Sequence, residues 1–208
     1  MKNRLKLTFL LNLLVFSISA QKFSSELWHE GVVDLKEGKT IKGKIKYNLE
    51  SDVVLLNVEN QVLSLNPNQV ESFQFSDELT ARTRYFFSLP YAFENNYKRN
   101  YFFELLLEGK KNLLTREKIV RETRYYYSPY GIGSSPAYTA LEQQEDFFLM
   151  GNDARIKGFE SPKGLIETSL SNHYDKIKSY IKMNHLKIEK RNDMSMIVEY
   201  YNGLGSTD

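Results

Sequence analysis

Residues 41–47 read IKGKIKY, and this stretch decides the fold class. Ile41, Ile45 and Tyr47 fall on one face of an extended chain together with Gly43, whereas the three lysines between them fall on the other face. An apolar period of two residues predicts a half-buried antiparallel strand rather than a helix. The chain around this strand is therefore expected to be β-rich.

The same period continues on both sides of this strand, from residue 27 to residue 76. Turn-forming residues, such as those at 37–39 and 59–60, divide the stretch into about five short strands. Short strands joined by short turns favour a meander that curls into a small barrel or a strongly twisted sheet. Gly31 and Gly43 are candidate positions for a sharp bend in that sheet.

A helical pattern replaces the period of two near the end of the chain. Tyr174, Ile177 and Ile181 share one stripe at spacings of three and four residues. Asp193 is expected to cap a last helix, which Gly203 ends. Because each of these helices is only about ten residues long, they need a partner surface for stability.

These patterns predict an α+β protein. Residues 21–158 are expected to form an antiparallel β-rich body, a meander or small barrel-like sheet, arranged as one sheet or as two subsheets at 27–76 and 82–150. Residues 159–208 are expected to form a helical segment that contains a short C-terminal helical pair.

Residues 1–20 have the features of a secretory signal peptide. Three basic residues precede an apolar run of about 12 residues, which is shorter than the roughly 20 residues that a membrane-spanning helix needs. We predict cleavage after Ala20; cleavage after Ser19 and an uncleaved N-terminal anchor are the alternatives. The mature chain is then expected to contain no transmembrane segment.

Composition and charge exclude several function classes. The 208 residues include no cysteine, which excludes disulfide frameworks, zinc–thiolate sites, thiol catalysis and a lipid-modified N-terminal cysteine. Removal of residues 1–20 leaves 25 basic and 26 acidic residues. A near-neutral chain gives no global electrostatic signal for nucleic acid, so no nucleic-acid partner is expected.

The aromatic residues supply the candidate ligand contacts. Aromatic side chains make up 13% of the chain, and three of them lie beside a loop that is rich in proline and glycine. These are Tyr126, Tyr127 and Tyr130. Exposed rings beside such a loop are suited to binding peptide or sugar. The alternative is that the aromatic residues fill a core that has no disulfides.

The acidic residues supply the only candidate catalytic cluster. Glu142, Glu145 and Asp146 are close in sequence, and paired carboxylates can hydrolyse a glycosidic bond when burial keeps one of them protonated. The alternative is that they are solvated charges at the edge of a strand. The three histidines lack metal-binding spacing, and no cofactor or metal is predicted.

A basic stripe follows the first hairpin. Lys42, Lys44 and Lys46 share one face, to which Lys36 and Lys39 are close. Such a stripe can contact anionic envelope polymers or lipid head groups. The alternative is that these lysines keep an edge hairpin from aggregating.

Three segments resemble uncharacterised secreted proteins of Bacteroidota-type bacteria. They lie at residues 28–33, 102–110 and 197–202, and the last includes Tyr200-Tyr201-Asn202. The resemblance implies a Gram-negative envelope location and supplies no activity or catalytic residues.

From these observations we expect a secreted cell-envelope binding or accessory protein without catalytic activity. It is expected in the periplasm or on the cell surface of a Gram-negative bacterium, with an envelope protein or polymer as its partner. One alternative is an envelope-polymer hydrolase that uses the carboxylates named above. A second alternative is a small outer-membrane-associated barrel.

Overall fold

The computed structural model describes residues 23–93, 97–125 and 137–205. Ten strands and three α-helices lie in these ranges. The strands are β1 (His29–Leu35), β2 (Thr40–Asn48), β3 (Val53–Val58), β4 (Gln61–Leu65), β5 (Val70–Asp77), β6 (Arg82–Tyr91), β7 (Arg99–Leu107), β8 (Asn112–Tyr125), β9 (Ala137–Met150) and β10 (Ile156–Gly158). The helices are α1 (Pro162–Ser169), α2 (Tyr174–Met183) and α3 (Arg191–Leu204). The predicted α+β class, with an antiparallel β-rich body and a C-terminal helical segment, is confirmed.

All ten strands belong to one antiparallel sheet with the order β10-β9-β8-β7-β6-β5-β1-β2-β3-β4. β5 pairs with β1 on one side and with β6 on the other, so the strands before residue 78 are hydrogen-bonded to those after it. Only residues 66–69 connect the end of β4 to the start of β5, where Val70 pairs with Leu35. In the part of the sheet with the order β5-β1-β2-β3-β4, the strands β5 and β4 are at opposite edges. Because only four residues connect them, this part of the sheet must coil strongly.

Glycine and turn residues allow this coiling. Gly31 and Gly43 face each other across β1 and β2. A Cβ atom on Gly31 would lie 2.5 Å from Ile45 Cδ1, and one on Gly43 would lie 2.5 Å from the carbonyl oxygen of Asn57. Glycine is thus required at these two positions, where a side chain would collide with the neighbouring strand. Gly38 has the positive φ, +86°, that was expected for the first hairpin turn.

The concave face of the coiled strands encloses an aromatic core. Phe73 stacks on Phe86 with ring centroids 4.5 Å apart, and Phe102 meets Phe73 edge-on at 5.0 Å. Tyr47 contacts all three rings. The sequence allowed two roles for the aromatic residues, and these four rings fill the core.

The helices cover the same face of the sheet at β8 and β9. α1 begins after Ser161, whose hydroxyl accepts a hydrogen bond from the amide of Gly164 at 3.1 Å. The predicted apolar stripe of α2 and the buried residues Met194, Ile197 and Val198 of α3 pack against strand residues such as Leu113 and Phe147. Asp193 lies inside the first turn of α3 rather than at its cap, where it accepts a hydrogen bond from the amide of Lys187. None of the helices in the described ranges has the length and apolar character needed to cross a membrane.

Strand β8 leaves β7 partway along its length. The pairing between β7 and β8 ends at Glu104 and Thr115, whereas β8 and β9 stay paired as far as Tyr125 and Ala137. Residues 116–125 and 137–146 therefore form a two-stranded ribbon that extends from the sheet. We call this segment the ribbon.

Candidate functional site

Two clefts open at the base of the ribbon. The first has a volume of about 600 Å³, and we call it the aromatic cleft; its wall includes Phe93, Tyr97, Arg99, Tyr101, Arg116 and Lys118. The second has a volume of about 910 Å³, and we call it the acidic cleft; its wall includes Asp77, Glu117, Glu142, Glu145, Glu160 and Glu189. The two clefts meet at the ribbon, because Glu117, Lys118 and Asp146 line both of them.

Arg116 forms the floor of the aromatic cleft. Its guanidinium carbon lies 5.5 Å from the ring centroid of Phe93, 5.1 Å from that of Tyr101 and 5.6 Å from that of Phe103. It donates a hydrogen bond to the carbonyl oxygen of Phe102 at 2.6 Å. Cation–π contacts and a hydrogen bond hold this cation in one position.

Asp52 links this arginine to the first half of the sheet. Its carboxylate accepts hydrogen bonds from Arg116 at 3.2 Å and from the Phe102 amide at 3.3 Å. The Tyr47 hydroxyl also donates to it, at 2.5 Å. Burial, together with the adjacent Asp52 carboxylate, raises the pKa of Tyr47 well above its ordinary value, so this phenol stays protonated. At Phe102, β8 no longer pairs with β7. The Phe102 amide therefore donates to Asp52, and its carbonyl oxygen accepts from Arg116.

The rim of the aromatic cleft carries exposed rings and further cations. Tyr97 is 76% exposed and Phe93 is 47% exposed. Arg99 lies over the Tyr101 ring at 4.5 Å and donates to its hydroxyl. Within the described ranges no carboxylate pairs with Arg99, whereas Lys118 pairs with Asp146 at 2.8 Å. The cleft therefore presents flat apolar surfaces beside Arg99, whereas its other two cations, Arg116 and Lys118, are paired with Asp52 and Asp146.

Two buried arginines dominate the floor of the acidic cleft. Arg84, on β6, donates two hydrogen bonds to Glu104 at 2.9 and 2.5 Å and lies 2.8 Å from Glu117. Arg191, at the start of α3, lies 2.7 Å from Glu104 and 2.6 Å from both Glu117 and Glu145. The network thereby attaches α3 to strands β7, β8 and β9.

The pKa shifts show the electrostatic cost of this network. Burial raises the pKa of Glu117 above its ordinary value, and the Glu104 carboxylate adds to the rise, against the effect of both arginines. Burial tends to raise the pKa of Asp77, but the Ser24 and Thr80 hydroxyls near its carboxylate and the Arg84 guanidinium outweigh that effect and lower the value. Asp77 is therefore ionised although it is buried.

The structure separates the three acids that the sequence grouped. Glu145 points to Arg191, Asp146 pairs with Lys118, and Glu142 forms an ion pair with Arg124. Each of the three acids has a cationic partner. The adjacent residues Glu145 and Asp146 pair with different cations, Arg191 and Lys118. Glu145 is nevertheless part of a buried acidic cluster, which solvated edge charges would not be.

The other candidate residues have different outcomes. The predicted ligand contacts Tyr126, Tyr127 and Tyr130 lie outside the described residues. The basic stripe lies on β2, where Lys44 comes within 4.0 Å of Glu30. In the part of the chain that the structure describes, no group of three or more histidine or acidic residues is arranged to hold a metal ion.

Sequence reasoning missed Arg84, Glu104 and Arg191. A signal exists for the first two, because each shares the inward parity of an apolar residue two positions away, Phe86 and Phe102 respectively. A charge at an inward position of a strand indicates a buried partner. No local signal shows that Arg191 supplies that partner.

Comparisons of the chain with protein-family models, with curated proteins and with solved structures returned no match.

Proposed function

We propose that this protein is an exported binding protein of the Gram-negative cell envelope, which holds an acidic glycan in the aromatic cleft without converting it. The observation that carries the proposal is Arg99, which has no carboxylate partner in the described ranges and lies beside the exposed rings of Tyr97 and Phe93 in the wall of the cleft. The export and the envelope location rest on residues 1–20 and on the resemblance of the sequence.

The ligand class follows from the chemistry of the cleft. Aromatic faces such as that of Tyr97 stack on the apolar faces of sugar rings and gain contact area at a low entropic cost. Arginine binds carboxylate or phosphate oxygens through its planar fork of N–H donors. A glycan that carries acidic groups satisfies both features at once.

Binding can be measured by titration calorimetry with an oligosaccharide of uronic acids and with a neutral glucose oligosaccharide of the same length. We expect the acidic glycan to bind more tightly. Arg99→Ala and Tyr97→Ala should each weaken that binding by about tenfold, because each removes a direct contact.

Matched control variants remove the same residue types away from the cleft. Arg155→Ala removes an exposed arginine, and Tyr85→Ala removes a tyrosine that is 47% exposed on β6. Both controls should bind like the wild type. Equal losses in Arg99→Ala and Arg155→Ala, or no preference for the acidic glycan, would contradict the proposal.

Export has its own test. Mass spectrometry of the exported protein should give a chain that begins at Gln21. A retained Met1 would remove the export part of the proposal and leave the binding part to the titration.

A hydrolase is the second candidate, because buried acids converge in the acidic cleft and the pKa of Glu117 is raised. Its weakness is that Glu104 and Glu117 each contact both arginines, which stabilise the ionised form that a general acid must avoid. Product analysis after incubation with the acidic glycan separates the two candidates. Turnover that Glu145→Gln abolishes would favour the hydrolase.

A further inference from the structure

At the floor of the acidic cleft, the described residues bring together more carboxylates than guanidinium groups. Four carboxylates meet at its floor, and two guanidinium groups, those of Arg84 and Arg191, lie among them. The four are Asp77, Glu104, Glu117 and Glu145. Buried charges are normally paired, so this floor is short of positive charge.

Two buried oxygen atoms identify where the positive charge is missing. The Asp77 side chain is 0% exposed, and its Oδ1 accepts a hydrogen bond from the Leu79 amide at 3.0 Å. Among the described residues, no donor lies within hydrogen-bond distance of its Oδ2; the nearest Arg84 nitrogen, 3.8 Å away, forms an ion pair with it but no hydrogen bond. At the other end of the network, Glu145 Oε1 contacts Arg191 while Oε2 is buried without a donor.

The two oxygens require a ligand that brings both N–H donors and charge. A buried carboxylate oxygen without a donor is destabilising, so a ligand that supplies the donor regains that free energy on binding. The same floor already binds two guanidinium groups, and Glu104 accepts one of them through both oxygens. A third guanidinium or an ammonium group has matching chemistry.

The outer wall of the cleft carries charges of both signs, so the surplus of carboxylates is at the floor. Glu160 and Glu189 are exposed acids at its mouth. Cations also line the cleft: Lys118 pairs with Asp146, Arg82 donates to the neutral amide of Asn192 at 2.7 Å and keeps its charge, and Lys190 is exposed. The volume of about 910 Å³ exceeds that of a single amine, which points to a longer chain that carries the basic group.

We propose that the acidic cleft binds a basic peptide, with one lysine or arginine side chain donating to Asp77 Oδ2, a second donating to Glu145 Oε2, and Glu160 at the mouth of the cleft. This site is separate from the glycan-binding cleft in its chemistry, and either proposal can fail without the other.

The test is fluorescence polarisation with a short labelled oligo-lysine peptide at physiological ionic strength, with an oligo-glutamate peptide of equal length as the reference. We expect saturable one-to-one binding of the basic peptide. Asp77→Asn keeps the shape of the side chain and should weaken binding by about tenfold. Glu160→Lys changes an exposed residue and should weaken it by about threefold even if Asp77→Asn fails to fold.

Glu71→Lys is the matched control, because it makes the same charge change at an exposed residue of β5 outside the cleft. It should bind the basic peptide like the wild type, since salt screens charges beyond about 10 Å. The proposal is overturned if the wild type does not bind the basic peptide, or if Glu71→Lys weakens binding as much as Glu160→Lys does. Unchanged binding by Glu160→Lys would also overturn it.

Discussion

Glu117 is a carboxylate that the fold buries beside a second carboxylate, Glu104, and two guanidinium groups. Burial and the like charge of Glu104 raise its pKa in the folded state. The unfolded chain keeps the ordinary value of 4.5, so the folded state retains a proton over a pH range in which the unfolded chain has lost it. Stability must therefore fall as pH rises through that range.

This residue gives a pH-dependent prediction. The free energy of unfolding of the wild type minus that of Glu117→Gln should be larger below pH 4.5 and should decline as pH rises from 4.5 through the raised pKa. Urea unfolding at a series of pH values measures this difference. A difference that stays constant, or that increases with pH, would show that Glu117 titrates normally in the folded protein.

Single residues also show where sequence reasoning stops. The inward parity of Arg84 and Glu104 is readable from the alternation around them, but their pairing joins positions 20 residues apart in sequence. Arg191 meets Glu104 from 87 residues away. A local pattern shows that a charge points inward, whereas the identity of its partner depends on the tertiary structure.

We expect the stability of β8 to decrease from the sheet towards the end of the ribbon. Near the sheet, residues 112–115 of β8 pair with β9 and lie beside β7. From residue 116 onward, β8 has β9 as its only ladder partner among the described strands. Two-stranded segments with exposed faces open more easily than interior strands.

Hydrogen exchange measures this difference. Ladder amides of residues 119–124 should exchange at least about tenfold faster than those of residues 113–115, because local opening costs less where one flanking strand is missing. The amides of Phe147–Leu149 serve as the control within β9, since they pair with the sheet-side part of β8. Equal protection along the whole of β8 would mean that the ribbon is held by more than its own pairing.

The elements were predicted better than their arrangement. A period of two residues located the strands of the first half, and the apolar stripes located the two C-terminal helices. The pairing of β1 with β5, and the point at which β8 leaves β7, depend on contacts between distant segments. The ribbon and both clefts arise from that separation, which is why the sequence did not place them.

For the whole molecule, the continuous sheet implies one cooperative unit. β5 and β6 are joined by six residue pairs, from Ser72 with Phe87 to Asp77 with Arg82. Arg84 and Arg191 add buried contacts between the sheet and α3. Neither part can unfold without exposing the ladder and the charges of the other.

Trp28, the only tryptophan in the chain, precedes β1 and reports on the first half. The helices report on the second half through far-ultraviolet circular dichroism. Urea unfolding followed by both signals should give coincident transitions with one midpoint, as expected for two-state unfolding. Two separated midpoints would instead indicate two units that unfold independently.

During synthesis from the N-terminus, Arg191 is made long after its carboxylate partner Glu104, which precedes it by 87 residues. Until that residue has appeared, Glu104 and Glu117 lack one of the two cations that compensate them, and α3 has no anchor on the sheet. The last turn of α3 adds a further late contact, because the Asn202 side chain exchanges hydrogen bonds with the backbone of Lys111 at 2.9 and 3.0 Å. Residues as far as Asn202 must therefore have left the ribosome before the native contacts of the sheet with α3 can form.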